Sequence, residues 1–484
     1  MAHRTLNVAI VGAGMSGICM AAKLQDAGID TFTIFESADE VGGTWRDNRY
    51  PGLHCDVPSR LYTYSFRSNP EWSHVLPPGA EVQSYFSQVA TERGFRPHIR
   101  FGTEVTSAEF RDEQWWITTA AGQEPFDILI TATGVLRVPR YPDIPGLDTF
   151  AGPSFHSSRW DDSLSLPDKR IGLIGTGSTG VQITAALGGN VRGLTIFQRT
   201  PQWVFPFPNP QYSRISRAAH RRFPAMSRIG YRAWQLVYEK FFFQAMLTPG
   251  WQRRLISAMC RWNLNFSVRD RELRRRLTPD YQAMCKRMVA AGHYYQSVQK
   301  KGVTVVDDAI DHIEPNGVVT ADGTLHEIDL LVLATGFDAR AYVRPMNITG
   351  EHGVTIDEVW ADGPHAYRSI AVPGFPNLFM LIGPHSPIGN QSLVIIAEDQ
   401  ADYAMWWINE IREGRVSFAA PTEVATKVYN EQVKAALPDT VWATGCKSWY
   451  IGKDGLPELF PWNPVRHREL LASPELDDFD VRTA

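Results

Sequence analysis

Two glycine-rich turns, GAGMSG at 12–17 and GTGSTG at 175–180, constrain this chain more than any other feature. Ahead of the first, NVAIV at 7–11 is a short apolar run ending at Gly12. MSGICMAAKLQDAG then reads as a helix closed by Gly28, and TFTIFE at 31–36 as the next strand. Strand, turn, helix and strand in this order form a dinucleotide-binding unit. Gly12 permits the tight turn, Gly14 admits a pyrophosphate close to the backbone, and Gly17 lets helix and strand pack. Ser16 sits where the helix N-terminus offers unpaired N–H groups to phosphate. Glu36 ends the second strand, placed to accept from a ribose diol.

The pattern recurs. RIGLI at 170–174 leads into Gly175, Thr176, Gly177, Ser178, Thr179 and Gly180, then a helix to about residue 188, then GLTIFQR at 193–199. Its ending differs, because Arg199 stands where an acid is expected. An acid suits a free 2′-hydroxyl and an arginine suits a 2′-phosphate, so the second site should prefer NADPH to NADH. ILITATG at 128–134 and LLVLATG at 330–336 are buried-strand runs, and one is expected to close each unit. These features describe an α/β flavoprotein with two Rossmann-like domains, the N-terminal one for FAD and the other for NADPH.

Composition removes other classes. A length of 484 residues leaves room for two or three domains. A formal net charge of -4 favours neither nucleic acid nor an acidic substrate as a partner. Cys19, Cys55, Cys260, Cys285 and Cys446 form no CxxC pair. That argues against a zinc ribbon, a dithiol redox centre or a disulfide framework, and fits a reducing cytoplasm. The 13 histidines show no HxxxH spacing, so no metal is expected. NVAIVGAGMSGICMAA is interrupted by glycines and is not read as a signal peptide. The longest apolar stretch, WQLVYEKFFFQAML at 234–247, is broken by Glu239 and Lys240, so no transmembrane segment is expected.

Between the two turns lies FAGPSFHSSRWDD at 150–162. Phe150, Gly152, His156 and Trp160, followed by Asp161, match FxGxxxHxxxW and Asp or Pro. With this fingerprint the chain resembles the Baeyer–Villiger monooxygenases, class B flavoprotein monooxygenases. GGTWRDNRYPGLHCDVPSRLYTYSF at 42–66, MCKRM at 284–288 ahead of Tyr294-Tyr295, ATGFD at 334–338 and SWY at 448–450 extend the likeness over most of the chain. The resemblance implies FAD and NADPH as cofactors. It implies insertion of one oxygen atom of O2 beside a ketone carbonyl, through a C4a-peroxyflavin, to give an ester or lactone. It makes His156, Phe150 and Trp160 anchors or hinges between domains rather than proton donors.

It also assigns roles. Arg287 is the cation beside the flavin, and Asp56 contacts the flavin and orients that arginine. Lys286, Arg199 and Thr200 meet the NADPH 2′-phosphate, and Trp449 closes over the nicotinamide cofactor. Gly43, Thr44, Trp45, Tyr62 and Val105 belong to the flavin side, and GPHSPIGNQS at 383–392 should pass near it. Gln282 and Ala283 depart from the family pattern, which bears on the loop before Lys286-Arg287.

The expected division is 1–149 with 337–484 for FAD, 150–205 with 281–336 for NADPH, and a helical insertion at 206–280. That insertion holds 15 Lys and Arg against 4 Asp and Glu. Its surplus fits a solvated helical face, an oligomer contact, or peripheral contact with an anionic membrane. The expected partners are a small ketone and O2, with the chain a monomer or homodimer in the cytoplasm. The rival activity is S- or N-oxygenation by the same cofactors. A disulfide reductase would need the missing dithiol, and a non-catalytic flavin-binding protein would not need the set Arg287, Asp56, Arg199 and Lys286.

Overall fold

The computed structural model describes residues 4–386, 389, 391–446, 448, 451–452 and 455–483. Two five-stranded parallel sheets organise it. The first runs from edge to edge as Leu378–Met380, Ile128–Thr131, Val8–Val11, Phe32–Phe35 and Ile99–Arg100. The second runs Val303–Val306, Gly193–Phe197, Arg170–Ile174, Leu330–Leu333 and Ser154–His156. In both, the strand entering a glycine-rich turn lies at the centre. The strand reached through the helix lies beside it, with Val8 opposite Phe32 and Ile171 opposite Leu194. Parallel sheets are covered on both faces, which is why VAIV and LLVL are apolar throughout and fully buried.

The strands at 128–131 and 330–333 do not close their sheets. Each pairs with the turn strand on its other side, Val8 opposite Ile128 and Ile171 opposite Leu330. A shorter strand lies beyond each. The reason is physical: two covered faces and two bonded edges require an unbroken apolar run, and an edge strand such as Ser154–His156 does not.

The chain after 337 returns to the first sheet through Leu378–Met380. Asn347–Thr349 adds to a neighbouring antiparallel sheet at Ser107–Arg111. Residues 206–280 supply the helices Arg214–Arg222, Pro224–Val237, Phe243–Leu247, Trp251–Ser267 and Arg271–Arg276, with a π-helical stretch at Tyr238–Phe242. In Trp251–Ser267 the inward face carries Arg253, Ile256, Cys260 and Leu264, spaced at three and four residues, with Ser257 beside Ile256. No helix among the described residues is long and apolar enough to cross a membrane.

One expectation about cysteine needs correction. Cys285 and Cys446 are joined in a disulfide across 161 residues of sequence. Partners this far apart leave no spacing signature, and their pairing removes the cysteine argument for a reducing compartment. Cys19, Cys55 and Cys260 are free and buried.

A buried acid marks the packing of the first helix, Met15–Asp26, near the long helix Leu393–Arg412. Burial pushes the Glu398 carboxyl from 4.5 up to about 7, against the pull of the Ser65 N–H at 2.7 Å and of Lys23. The folded chain therefore holds a proton that the unfolded chain has released. Stability should fall by up to roughly 3 kcal/mol as pH rises through this window. Glu398→Gln keeps the acceptor for Ser65 and cannot ionise. Its thermal midpoint should gain on the native protein from pH 5 to 7 and level off by pH 8, and a constant difference over that range would contradict the assignment.

Candidate active site

Both turns open into one cavity of about 610 Å³, within the ~300–1,000 Å³ range of small-molecule sites. From the first unit it is lined by Gly12, Gly14, Ser16, Glu36, Gly43, Thr44, Trp45, Asp56, Tyr62 and Val105. Gly177, Ser178, Thr179 and Arg287 line it from the second. Gly17, Gly175, Thr176 and Gly180 are not among its lining residues, nor are Arg199, Thr200 and Lys286, and Arg199 is exposed. Trp449 lies outside the described residues, as do Pro387, Ile388 and Asn390 of the 383–392 loop. Ile382, Gln391 and Leu393, around that loop, line the cavity.

The turns divide their work by position. Gly12 has φ +108°, and a Cβ there would lie 2.6 Å from the Ala132 carbonyl oxygen. A Cβ on Gly17 would lie 1.9 Å from the Gly12 oxygen. A Cβ on Gly14 would meet only the Gly43 backbone, its Cα at 3.6 Å, so the bare face of Gly14 is left to the cavity. The second turn repeats this. Cβ atoms on Gly175 and Gly180 would meet Ala334 O at 2.3 Å and Gly175 O at 2.0 Å, and one on Gly177 meets nothing within 4 Å. The outer glycines let strand and helix close up, and the middle one keeps a cradle open for a pyrophosphate at the helix N-terminus. The Ala-Thr-Gly runs thus sit against the turns, a contact their sequence does not announce.

Glu36 is buried and already held. Its carboxylate accepts from the Ala13 and Ala38 N–H groups at 2.9 Å each and pairs with Arg46 Nη1 at 2.9 Å. Sequence reasoning missed Arg46, although it stands one residue after Trp45 in a segment already assigned to the flavin side. Trp45 Nε1 donates to the Tyr62 hydroxyl at 3.1 Å, so these two rings form one wall.

Asp56 and Arg287 come from different units and meet across the cavity with Nε to Oδ2 at 3.7 Å. Burial raises the Asp56 carboxyl above the usual range, while Arg287 and His54 draw it back. The Ala290 N–H also donates to it at 3.4 Å. Gln202 holds the backbone of the arginine, donating to Arg287 O at 2.7 Å. Gln282, at the point of departure from the family pattern, donates to the Ser257 hydroxyl at 2.6 Å. That contact ties the loop before Arg287 to the inserted helix.

A second cationic spot, outside the lining, brings Lys286 and Arg199 together. Lys286 sits over the Tyr281 ring at 4.5 Å. Its ammonium is pushed down by burial and then by the charge of Arg199. Thr176 Oγ1 donates to Thr200 O at 2.6 Å, joining the turn to the strand end that carries Arg199.

The connector is structural where it can be described. His156 is fully buried, its ring nitrogens 2.9 Å from Gly336 O and from Ser158 Oγ. Phe155 and Trp160 pack edge to face at 5.3 Å. A Cβ on Gly152 would lie 2.7 Å from Asp329 O. Asp161 turns outward and accepts from Ser163 at 2.9 Å. Arg159, between these positions, does line the cavity and was not singled out from sequence.

Fold and site together define an oxidoreductase with two dinucleotide sites converging on one arginine. Residues 5–343 match the model of the flavin-binding monooxygenase-like family. A monooxygenase of Mycobacterium tuberculosis is 51% identical over 483 residues, covering 100% of this chain and 97% of its own. A Baeyer–Villiger monooxygenase of Streptomyces coelicolor is 37% identical over 485 residues, covering 99% of this chain and 93% of its own. The crystal structure of OTEMO in complex with FAD and NADP superposes with a TM-score of 0.89 at 27% identity, covering 100% of both chains. The chain belongs to the flavin-binding monooxygenase-like family, among its Baeyer–Villiger monooxygenases.

The two kinds of glycine should separate in experiment. Gly17→Ala forces the helix off the strand, so purified protein should unfold at lower temperature and carry little yellow flavin per chain. Gly14→Ala should keep the melting temperature of the flavin-free protein while weakening FAD binding. Equal behaviour of the two variants would contradict this division.

Proposed function

We propose that this chain is an FAD- and NADPH-dependent Baeyer–Villiger monooxygenase that inserts one atom of O2 beside a ketone carbonyl, giving an ester or lactone. The observation that carries the reading is Arg287, set in the cavity that both turns share and paired with Asp56. When bound, FAD accepts hydride from NADPH and passes electrons to O2, one oxygen atom entering the product and the other leaving as water.

The chain's own residues position and steady. Arg287 stays cationic at any working pH and stabilises negative charge as it develops on oxygen. Asp56 keeps the guanidinium in place from the facing unit. Gly14 and Gly177 give the two dinucleotides room, and Glu36 holds the first turn while accepting from the ribose. Arg199, Lys286 and Thr200 receive the 2′-phosphate, and Trp449 closes over the nicotinamide end. The remaining site assignments follow the cavity: Ser16, Gly43, Thr44, Trp45, Tyr62 and Val105 toward FAD, Ser178 and Thr179 toward NADPH.

The division into 1–149 with 337–484, 150–205 with 281–336, and 206–280 is supported by the membership of the two sheets and by the helices of the insertion. A cytoplasmic location, as monomer or homodimer, completes the reading and rests on the demand for NADPH.

Arg287→Ala should keep FAD and measurable flavin reduction by NADPH, while ester formation falls several hundred-fold, the equivalent of about 3–4 kcal/mol. A panel of a cyclic ketone, an aryl ketone and a thioether, read by NADPH consumption and product mass, tests the activity itself. Sulfoxide without any ester would overturn the ketone assignment. Lys286→Ala should raise KM for NADPH roughly tenfold or more and leave turnover with NADH unchanged. An equal loss with both cofactors would remove Lys286 from the 2′-phosphate site.

A further inference from the structure

The insertion carries an outward face that the reaction does not use. Of the 18 exposed large apolar side chains among the described residues, ten lie within 206–280. They are ordered along the helices. On Trp251–Ser267 the outward positions are Trp251, Leu255, Ala258, Trp262 and Phe266, spaced by four, three, four and four residues. That spacing lines one side of an α-helix. Trp251 is 59% exposed, Trp262 58% and Phe266 73%, the last two rings stacked on each other at 5.3 Å. Arg254 and Arg261 run along one edge of this stripe, one turn apart from its members and in no ion pair with described residues. On Pro224–Val237 the pattern repeats. Met226, Ile229, Ala233 and Leu236 form the outward stripe and Arg228 and Arg232 its edge.

Two facts choose the occupant. The first is charge. The insertion has 15 basic residues against 4 acidic in a chain whose formal net charge is -4, so positive charge is gathered on this part. A two-fold contact with a second copy would set the same arginine rows against each other. A surface that is apolar in the middle and anionic at the level of the arginines satisfies both. The second is side-chain type. Leu255, Ile229, Met226 and Leu236 have no flat face to stack on nucleobases. They gain from hydrocarbon, with tryptophan at the polar boundary.

We propose that this chain docks peripherally on a bilayer rich in anionic phospholipid, through the outward faces of helices Pro224–Val237 and Trp251–Ser267. The aromatic and aliphatic stripe enters the boundary between headgroups and acyl chains, and the flanking arginines meet lipid phosphate. Docking is reversible and salt-dependent, because it depends on charge as well as buried apolar area. It is independent of which substrate the cavity oxidises.

The test uses the FAD-loaded protein and vesicles of phosphatidylcholine with or without phosphatidylglycerol. Holoenzyme should sediment with the anionic vesicles at low salt, and much less with phosphatidylcholine alone or at high salt. Trp262→Ser with Phe266→Ser should lower partition roughly tenfold or more. Arg254→Glu with Arg261→Glu should do the same. Both double variants should keep bound flavin and NADPH oxidation, which shows that they fold. Absence of sedimentation at low salt, or equal partition by native and variant proteins, overturns the proposal. So does a dimer in analytical ultracentrifugation that is broken by Trp262→Ser with Phe266→Ser, if native protein ignores the vesicles.

Discussion

An aspartate withdrawn from water and an arginine delivered from the second unit hold the working centre of this molecule together. Asp56 belongs to the stretch after the first turn, and Arg287 to the stretch that follows the helical insertion. Burying a carboxylate is unfavourable unless a cation stands beside it, so each unit supplies what the other lacks. Hydrogen bonds reinforce the seam. His54 Nε2 lies 2.6 Å from Ala290 O, Gln182 Nε2 donates to His54 O at 3.0 Å, and Tyr50 donates to Gln182 Oε1 at 3.0 Å. The residues from 50 to 56 thus reach into the second unit, and the shared cavity lies where they do so.

Much of this was legible in the chain itself. The paired turns announced two doubly wound units because each position in them answers a separate steric demand. Gly17 and Gly180 would drive a side chain into a carbonyl, and Gly14 and Gly177 would fill the space a ligand needs. The basic stretch 206–280 was read as a helical insertion, and helices do stand there. The pairing order of the strands was not legible, because an unbroken apolar run such as ILIT or LLVL signals burial without naming the strands on either side. Arg46 and Arg159 were missed for a related reason. Nothing local distinguishes an arginine that faces a cavity from one that faces solvent, even where its partners, such as Glu36 and Asp47 for Arg46, lie nearby in sequence. Roles for Arg287 and Asp56 came from family likeness, since no spacing connects residues 231 apart.

Average composition concealed a second property. A nearly balanced chain hides a strongly basic insertion, and ordinary apolar content hides how much of it points outward there. Both become visible once helical faces separate inward from outward positions. The inward face of Trp251–Ser267 is anchored through Ser257, which accepts from Gln282 close to the arginine loop. The surface and the cavity are therefore joined by a short physical route.

The bond between Cys285 and Cys446 has a mechanical meaning for the same loop. Cys285 stands two residues before Arg287, and Cys446 three residues before Trp449. Stapled together, the two strands of backbone cannot drift apart independently. Any swing of the loop that carries Arg287 is therefore tethered to the C-terminal stretch at Cys446, and the two segments must move as one.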